Sequence, residues 1–408
     1  MKAKVQLTPL EDAIAQMCQL PATRLGIEEV PLKQLYGRVL AEDLMAPVQI
    51  PHWDYSAMDG YVLRYADLNV NAETTLAISQ RIAAGSSAKP LEPNTAARIF
   101  TGSPIPAGAD TVVMQEDCTG TDGSVTFHRV PKQGANIRLA GEDIQRGSVC
   151  LTAGTLLDAA SVGLTASLGL TSLRVLKRLR VALLCTGDEI VEPGNPLQPG
   201  QIHGSNAYIL TGMLERAGYE VIDLGQVPDR LDATVAALSR ASKEADVIVS
   251  TGGVSVGEED HVRAAVEQAG RLDLWRLNIK PGKPLAFGQV GTTPFVGLPG
   301  NPVSAYVTCV LALLPFLRHL QGAHAMSALT FEVRAAFDWP RADKRREFLR
   351  ARLSLGADGV PEASLHPQQG SGVLSSVVWA DGLVDLASEQ TVCRGDKVRY
   401  RPLTGMLG

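Results

Sequence analysis

The groups able to do chemistry in this chain are gathered where glycines, acids and lysines stand together. Residues 245–262 read ADVIVSTGGVSVGEEDHV, a valine-rich run followed by Gly252, Gly253, Ser255 and Gly257, then Glu258, Glu259 and Asp260. Paired glycines let a backbone turn sharply and present its N–H groups to an anion, and a serine hydroxyl adds a donor. Carboxylates beside such a cradle suit a divalent metal or proton transfer. Four other stretches share this character: Thr186-Gly187-Asp188-Glu189, the loop bearing Asp229, the stiff turn from Lys280 to Pro284, and Leu298-Pro299-Gly300-Asn301-Pro302. Lys280 and Lys283 can hold a polyanionic ligand. Asp188, Glu189, Asp229 and Asp260 can ligate Mg²⁺, which prefers carboxylates together with phosphate oxygens. Upstream lie three further polar groups: Asp54, Ser56 and Asp59 in 47–64, the corner Thr101-Gly102-Ser103, and Arg138, Glu142 and Asp143 around Gly141. Each of these also reads as a turn or a surface ion pair.

Something must bring the five loops together, and the pattern between them says what. From Arg180 onward, short apolar runs alternate with helical periodicity: a strand at 180–185, a helix over 206–217 opening on an Asn206 cap, strands at 219–223 and 246–251, and a long apolar helix over 303–320. Alternation of this kind implies a parallel sheet flanked by helices, and ligands bind at the carboxyl ends of such strands. All five polar loops follow strands. Ahead of this unit, Thr8, Pro9 and Glu11 form a capping-box signature for a first helix, and 31–40 predicts a second. Residues 76–130 are β-rich. Beyond Leu329, alternating apolar and polar residues mark a small β domain, in which the basic stretch 341–352 reads as a solvated strand edge.

Composition narrows the field. A chain of 408 residues exceeds one ordinary core. With 45% hydrophobic residues and a net charge of −5, it reads as a globular protein without the basic block expected of a nucleic-acid binder. Neither a Walker A pattern nor G-x-G-x-x-G is present, so P-loop and dinucleotide chemistry lack support. The six cysteines form no C-x-x-C pair and read as reduced thiols in a cytoplasmic protein. The longest apolar run, 307–317, is too short to span a bilayer, so no membrane role is expected.

Seven stretches, DYSAMDGYVL, IFTGSPIPAGADTVVMQED, IRLAGEDI, TGDEI, STGGVSVGEEDHV, KPGKPLAFG and GLPGNPVSA, together resemble the molybdopterin molybdenumtransferase family, the molybdenum insertases, related to the C-terminal domain of gephyrin. One departure is Tyr55 after Asp54, where the family commonly has a smaller residue. The resemblance implies a multidomain α/β and β fold: a segment-swapped helical domain (1–45 and 141–177), a β-rich domain (46–140), an α/β molybdopterin-binding domain (178–326) and a C-terminal β domain (327–408). It implies a homodimer with the cleft between the α/β domain of one subunit and the β-rich domain of the other. The implied reaction takes adenylylated molybdopterin and molybdate, with Mg²⁺, to molybdenum cofactor and AMP. By the same resemblance Gly252, Gly253 and Ser255 cradle the pterin phosphate. Asp229, Asp260 and Glu189 hold metal or position water, and Asp143 and Arg138 fall on motif positions. Asp59 and Thr101 reach in from the partner subunit, Lys280 and Lys283 attract the oxyanion, and Arg345 and Ser371 complete the molybdate pocket. Other cofactor-synthesis proteins and molybdoenzymes are conceivable partners. The alternatives are a molybdopterin adenylyltransferase, favoured by a chain of the α/β domain alone, and a gephyrin-like scaffold.

Overall fold

The computed structural model of the chain describes residues 7–253, 261–325 and 329–407. At its centre is a six-stranded sheet, in the order Glu220–Val227, Arg180–Thr186, Val247–Thr251, Thr293–Leu298, Pro284–Val290, Gly270–Arg276. The first four strands run parallel, Pro284–Val290 runs antiparallel to both of its neighbours, and Gly270–Arg276 again runs with the first four. The sheet is therefore mixed, not the parallel sheet that the alternation implies. The reason is local. Val290 pairs directly with Thr293, so only Gly291 and Thr292 join the two strands, and Gly291 takes φ +59°. A two-residue connection can link antiparallel neighbours only.

Alternate residues of the central strands feed two separate cores. Val181, Leu183, Val247 and Val249 face one, while Ala182, Leu184 and Ile248 face the other. Helices Asn206–Arg216 and Pro302–Leu320 cover the first face, and helices Leu231–Glu244 and His261–Ala269 the second. Pro302–Leu320 is apolar and long enough by composition to cross a membrane, yet most of it is buried within the protein. The long apolar helix expected over 303–320 is present, and within it Cys309–Leu313 forms a π turn. Pro315 has no N–H to return to the preceding turn, and the wider turn just before it absorbs the mismatch.

The first expected helix is present, but its cap and the second helix are not, for tertiary reasons. Thr8 does not cap the first helix: its N–H donates to Arg276 O and its carbonyl accepts from Asn278 N, both at 2.8 Å. The helix runs Leu10–Met17 with Pro9 at its cap, and Glu11 pairs with Arg346. Leu10, Ala13 and Met17 pack into the central core. The second expected helix is absent; Ile27–Pro31 is a strand, followed by the short 3₁₀ turn Leu32–Gln34. That strand pairs with Ser172–Leu176, and Leu44–Met45 pairs with Val149–Leu151, so two distant segments share one core around Leu35, Leu40, Leu157 and Val175. The α-helix described in this unit, Ala159–Ser167, is capped by Asp158, which accepts from Ser161 N at 2.8 Å. The unit is thus mostly paired strands rather than helical.

Residues between these two segments form an open six-stranded sheet, with strands such as Gly60–Leu63, Thr74–Ile82 and Thr95–Ile99. At the other end, five strands between Phe331 and Pro402 close into a barrel through the pairing of Arg346–Leu355 with Gly382–Leu386. Ile279–Lys280 adds to the barrel in parallel, with Lys280 opposite Glu347. The basic stretch 341–352 is not a solvated edge. Arg346, Phe348 and Arg350 share one strand face, Phe348 is packed into the central core and Arg350 is fully buried.

Candidate active site

The central sheet delivers its loops to one cleft of about 750 Å³. Thr186, Gly187, Glu189, Asp229, Gly252 and Gly253 line one side. The turn Lys280–Pro284, the loop Pro299–Pro302, and Arg345 with Gln369–Ser371 from the barrel line the rest. Of the residues singled out above, Asp59, Thr101, Arg138 and Asp143 do not line this cleft, and Ser255 and Asp260 lie outside the described residues.

The glycine cradle is dictated by packing. Gly252 and Gly253 take φ +86° and +62°, where a side chain is strained, and a Cβ on Gly252 would stand 2.6 Å from Thr186 O. Asn206 locks the cradle from below. It is not the helix cap that the sequence predicts; Ser205 holds that position, and Asn206 is buried, donating from Nδ2 to Thr251 Oγ1 at 2.8 Å and to Gly300 O at 2.7 Å. Thr251 Oγ1 in turn donates to Pro299 O. Gln226, also missed by the sequence reading, donates to Gly187 O and Ile190 O at 2.8 and 2.6 Å, fixing the loop that carries Glu189. An Asn at a strand-end-to-helix junction gives no sequence signal separating a cap from a cross-brace.

Two carboxylates enter the cleft uncommitted. Neither Glu189 nor Asp229 makes an ion pair among the described residues, and the Asp229 N–H donates to Asp188 Oδ1 at 3.1 Å. No cluster of three or more metal-ligating side chains converges among the described residues. Two free carboxylates nonetheless fit Mg²⁺, which commonly takes one or two protein carboxylates and completes its shell with phosphate oxygens and water.

The opposite wall is a wired set of charges. Arg345 grips Asp343 with Nε and Nη2, both at 3.0 Å, and Lys280 Nζ lies 3.1 Å from Asp343 and 3.0 Å from Glu347. The Glu347 contact is an ion pair rather than an aligned hydrogen bond; its other oxygen accepts from Trp339 Nε1 at 2.9 Å. Arg345 holds the Asp343 carboxyl well below the usual range. Burial works to lower the Lys280 pKa, but Glu347 and Asp343 outweigh it and raise the ammonium above its ordinary value. Lys283 is exposed at the cleft and has no carboxylate partner among the described residues. The two lysines are therefore unequal: Lys280 is largely neutralised and Lys283 is available.

Arg350 supports the floor. It is buried, donates to Ser376 Oγ and Phe348 O, and exchanges hydrogen bonds with Gln369 through its own backbone. Burial pushes its guanidinium down to about 10, still charged at neutral pH. Ser371 is anchored by Val303 N, which donates to its carbonyl at 3.0 Å and ties the barrel loop to the central helix.

On the open sheet, Asp59 accepts from both the Thr101 N–H and its hydroxyl at 2.8 Å, and those bonds hold its carboxyl below the usual range. Arg138 pairs with Glu142 at 2.9 Å, and Asp143 is exposed. Both groups are assembled on the surface, away from the cleft of their own chain.

Comparison with known proteins bears on this geometry along the whole chain. Residues 8–169 match the family model of the MoeA N-terminal region (domain I and II), 182–319 a probable molybdopterin binding domain, and 332–403 the MoeA C-terminal region (domain IV). A molybdopterin molybdenumtransferase of Haemophilus influenzae is 38% identical over 403 residues, covering 98% of this chain and 99% of the relative. Another, from Nostoc sp., is 38% identical over 382 residues, covering 91% and 87% respectively. The crystal structure of the molybdopterin biosynthesis moeA protein from Pyrococcus horikoshii OT3 superposes with a TM-score of 0.81 at 27% identity, covering 97% of this chain and all of that one, 100%.

Proposed function

The chain belongs to the MoeA family, the molybdopterin molybdenumtransferases of molybdenum cofactor biosynthesis, and from that premise we propose how its cleft performs the transfer. Adenylylated molybdopterin and molybdate are the substrates, and molybdenum cofactor and AMP the products. The observation that carries this reading is the juxtaposition, in one cleft, of the Gly252–Gly253 turn with two carboxylates and a lysine that have no ion-pair partner among the described residues.

Each group then has a task set by its chemistry. The turn at Gly252 and Gly253, with Ser255, holds the pterin phosphate; the Gly252 N–H donates to Leu298 O at 3.3 Å, so Gly252 shapes the turn that presents the Gly253 amide. Glu189 and Asp229, with Asp260, would hold Mg²⁺, which when bound supplies positive charge against that developing on the cleaved phosphoanhydride. Asp229 also accepts a hydrogen bond from, and so orients, the attacking water. Lys283, Arg345 and the Ser371 hydroxyl receive molybdate, while Lys280 keeps Asp343 and Glu347 in place beneath it. The adenylyl group leaves as AMP.

The pair Asp59–Thr101 supports a shared site. It is polar, preassembled and exposed, yet it does not line the cleft of its own chain. We assign it, with Arg138 and Asp143, to the cleft of a partner subunit in a homodimer. The four-unit division at 1–45 with 141–177, 46–140, 178–326 and 327–408 belongs to the same reading, as does a cytoplasmic location, which the six free cysteines fit.

The experiment is a molybdate titration of cofactor formation. Lys283→Ala removes a charge-assisted contact and is expected to raise the molybdate needed for half-maximal formation roughly tenfold or more. Lys280→Ala is expected to raise it less and to lower stability, because Asp343 and Glu347 lose their partner. An unchanged molybdate dependence in Lys283→Ala would move the oxyanion away from this wall.

A further inference from the structure

At the other end of the central sheet is a second crevice, of about 580 Å³. It opens where Arg180–Thr186 and Glu220–Val227 begin, and the two-segment N-terminal unit forms its other wall. Thr186, at the far end of the first strand, already lines the active cleft. Six residue steps of strand separate the two sites by about 20 Å.

The charges around this crevice do not balance. Arg38 pairs with Glu28, and Arg180 with Asp246 at 3.1 Å. That leaves Arg24, Lys177 and Arg178 facing the single carboxylate of Glu220, and none of the three cations has an ion-pair partner among the described residues. Arg38 is the key member. Its side chain is only 7% exposed, and its hydrogen bonds run from Nη2 alone, to Glu28 and to Leu176 O. Its Nε is buried with no partner among the described residues, a donor whose desolvation they leave uncompensated. Arg178 uses Nη1 on Gly218 O at 2.6 Å. Both guanidinia line this space, and burial first, with the like charge of Arg38 second, lowers the Arg178 pKa.

We propose that this crevice binds a small phosphorylated anion, held by Arg38 and Arg178 from its two walls and by Arg24 and Lys177 at its mouth. Guanidinium forks match phosphate oxygens in pairs, and one dianion would cancel the surplus charge that the protein leaves unmatched. Its walls come from two different units joined through Lys177, so the bound anion acts as a clamp between them. The site is independent of the reading given to the active cleft.

The test is hydrogen exchange on the full-length protein, with inorganic phosphate and with AMP as separate probes. Either probe at millimolar concentration is expected to slow exchange at residues 24–28 and 176–180, including the Lys177 amide that donates to Gly26 O. Protection by phosphate identifies the phosphate group itself as what is recognised; protection by AMP alone identifies a nucleotide. The double substitution Arg24→Ala with Lys177→Ala removes two exposed cations without internal partners, so the fold is retained. It is expected to weaken this protection roughly tenfold while leaving exchange changes at 252–253 and AMP release unaltered. No protection with either probe, or protection that the double variant keeps in full, would overturn the proposal.

Discussion

Asp229→Asn is expected to release AMP at least roughly a hundredfold more slowly than the wild type, a loss of about 2.7 kcal/mol of transition-state stabilisation. Asp229 enters the cleft on a loop whose backbone N–H is already fixed by Asp188. The asparagine can keep that position, so the change removes charge without removing shape. Without charge, the side chain is a poorer acceptor for an attacking water and a poorer metal ligand. Binding of adenylylated molybdopterin is expected to persist, because the glycine cradle and its Asn206 brace are untouched. AMP release measured against Mg²⁺ concentration reads the effect. A variant with the wild-type rate and the wild-type metal dependence would remove Asp229 from the reaction.

The largest effect on stability is expected at Asp385, which does not line the cleft. Its side chain is fully buried, accepts from Arg346 at 2.6 and 2.7 Å and from Arg401 at 2.8 Å, and has Arg399 at 3.9 Å. Arg346 extends the network to Glu11 on the first helix, so this one carboxylate joins the barrel to the central core. Asp385→Ala leaves two largely buried guanidinia facing each other without a counter-charge. The expected loss is about 3–5 kcal/mol in denaturant unfolding. A change below 1 kcal/mol would mean that the arginines relax into water. The acid limb of the stability curve gives a second readout. Burial opposes ionisation of Asp385, but Arg346 and Arg401 outweigh it and hold its carboxyl below the unfolded value of about 3.9. A carboxyl depressed in this way stabilises the fold above the unfolded pKa, and the contribution disappears as pH falls through the lower folded value. Asp385→Asn is therefore expected to flatten the acid limb.

What was legible in the sequence was the set of loops and their convergence. Glycine at 252 and 253, acids at 189 and 229, and the lysine-proline turn are short local signals. A helix-flanked sheet necessarily delivers strand-following loops to one edge. What was hidden depends on partners far along the chain. Thr8 looked like a cap because capping is local, but an exposed backbone edge at Arg276 and Asn278 competes for it. Asn206 looked like a cap for the same reason and is a brace between two other loops. The stretch 341–352 looked solvated because arginine usually is. Its period of two nevertheless placed Arg346 and Arg350 on the face of Phe348, which could have been read as inward. The mixed sheet hung on one glycine-containing two-residue turn, which periodicity alone passes over. The unequal roles of Lys280 and Lys283 depend on Asp343 and Glu347, some sixty residues away and invisible to spacing.

The central claim is that one cleft couples metal insertion to cleavage of the phosphoanhydride. The most direct measurement incubates the purified full-length protein with adenylylated molybdopterin and counts AMP and active cofactor, with molybdate and Mg²⁺ each present or withheld. The account predicts AMP and molybdenum cofactor in equal amounts, at full rate only when both are supplied. Cofactor formed without matching AMP, or substrate bound but never cleaved when both are present, would contradict it.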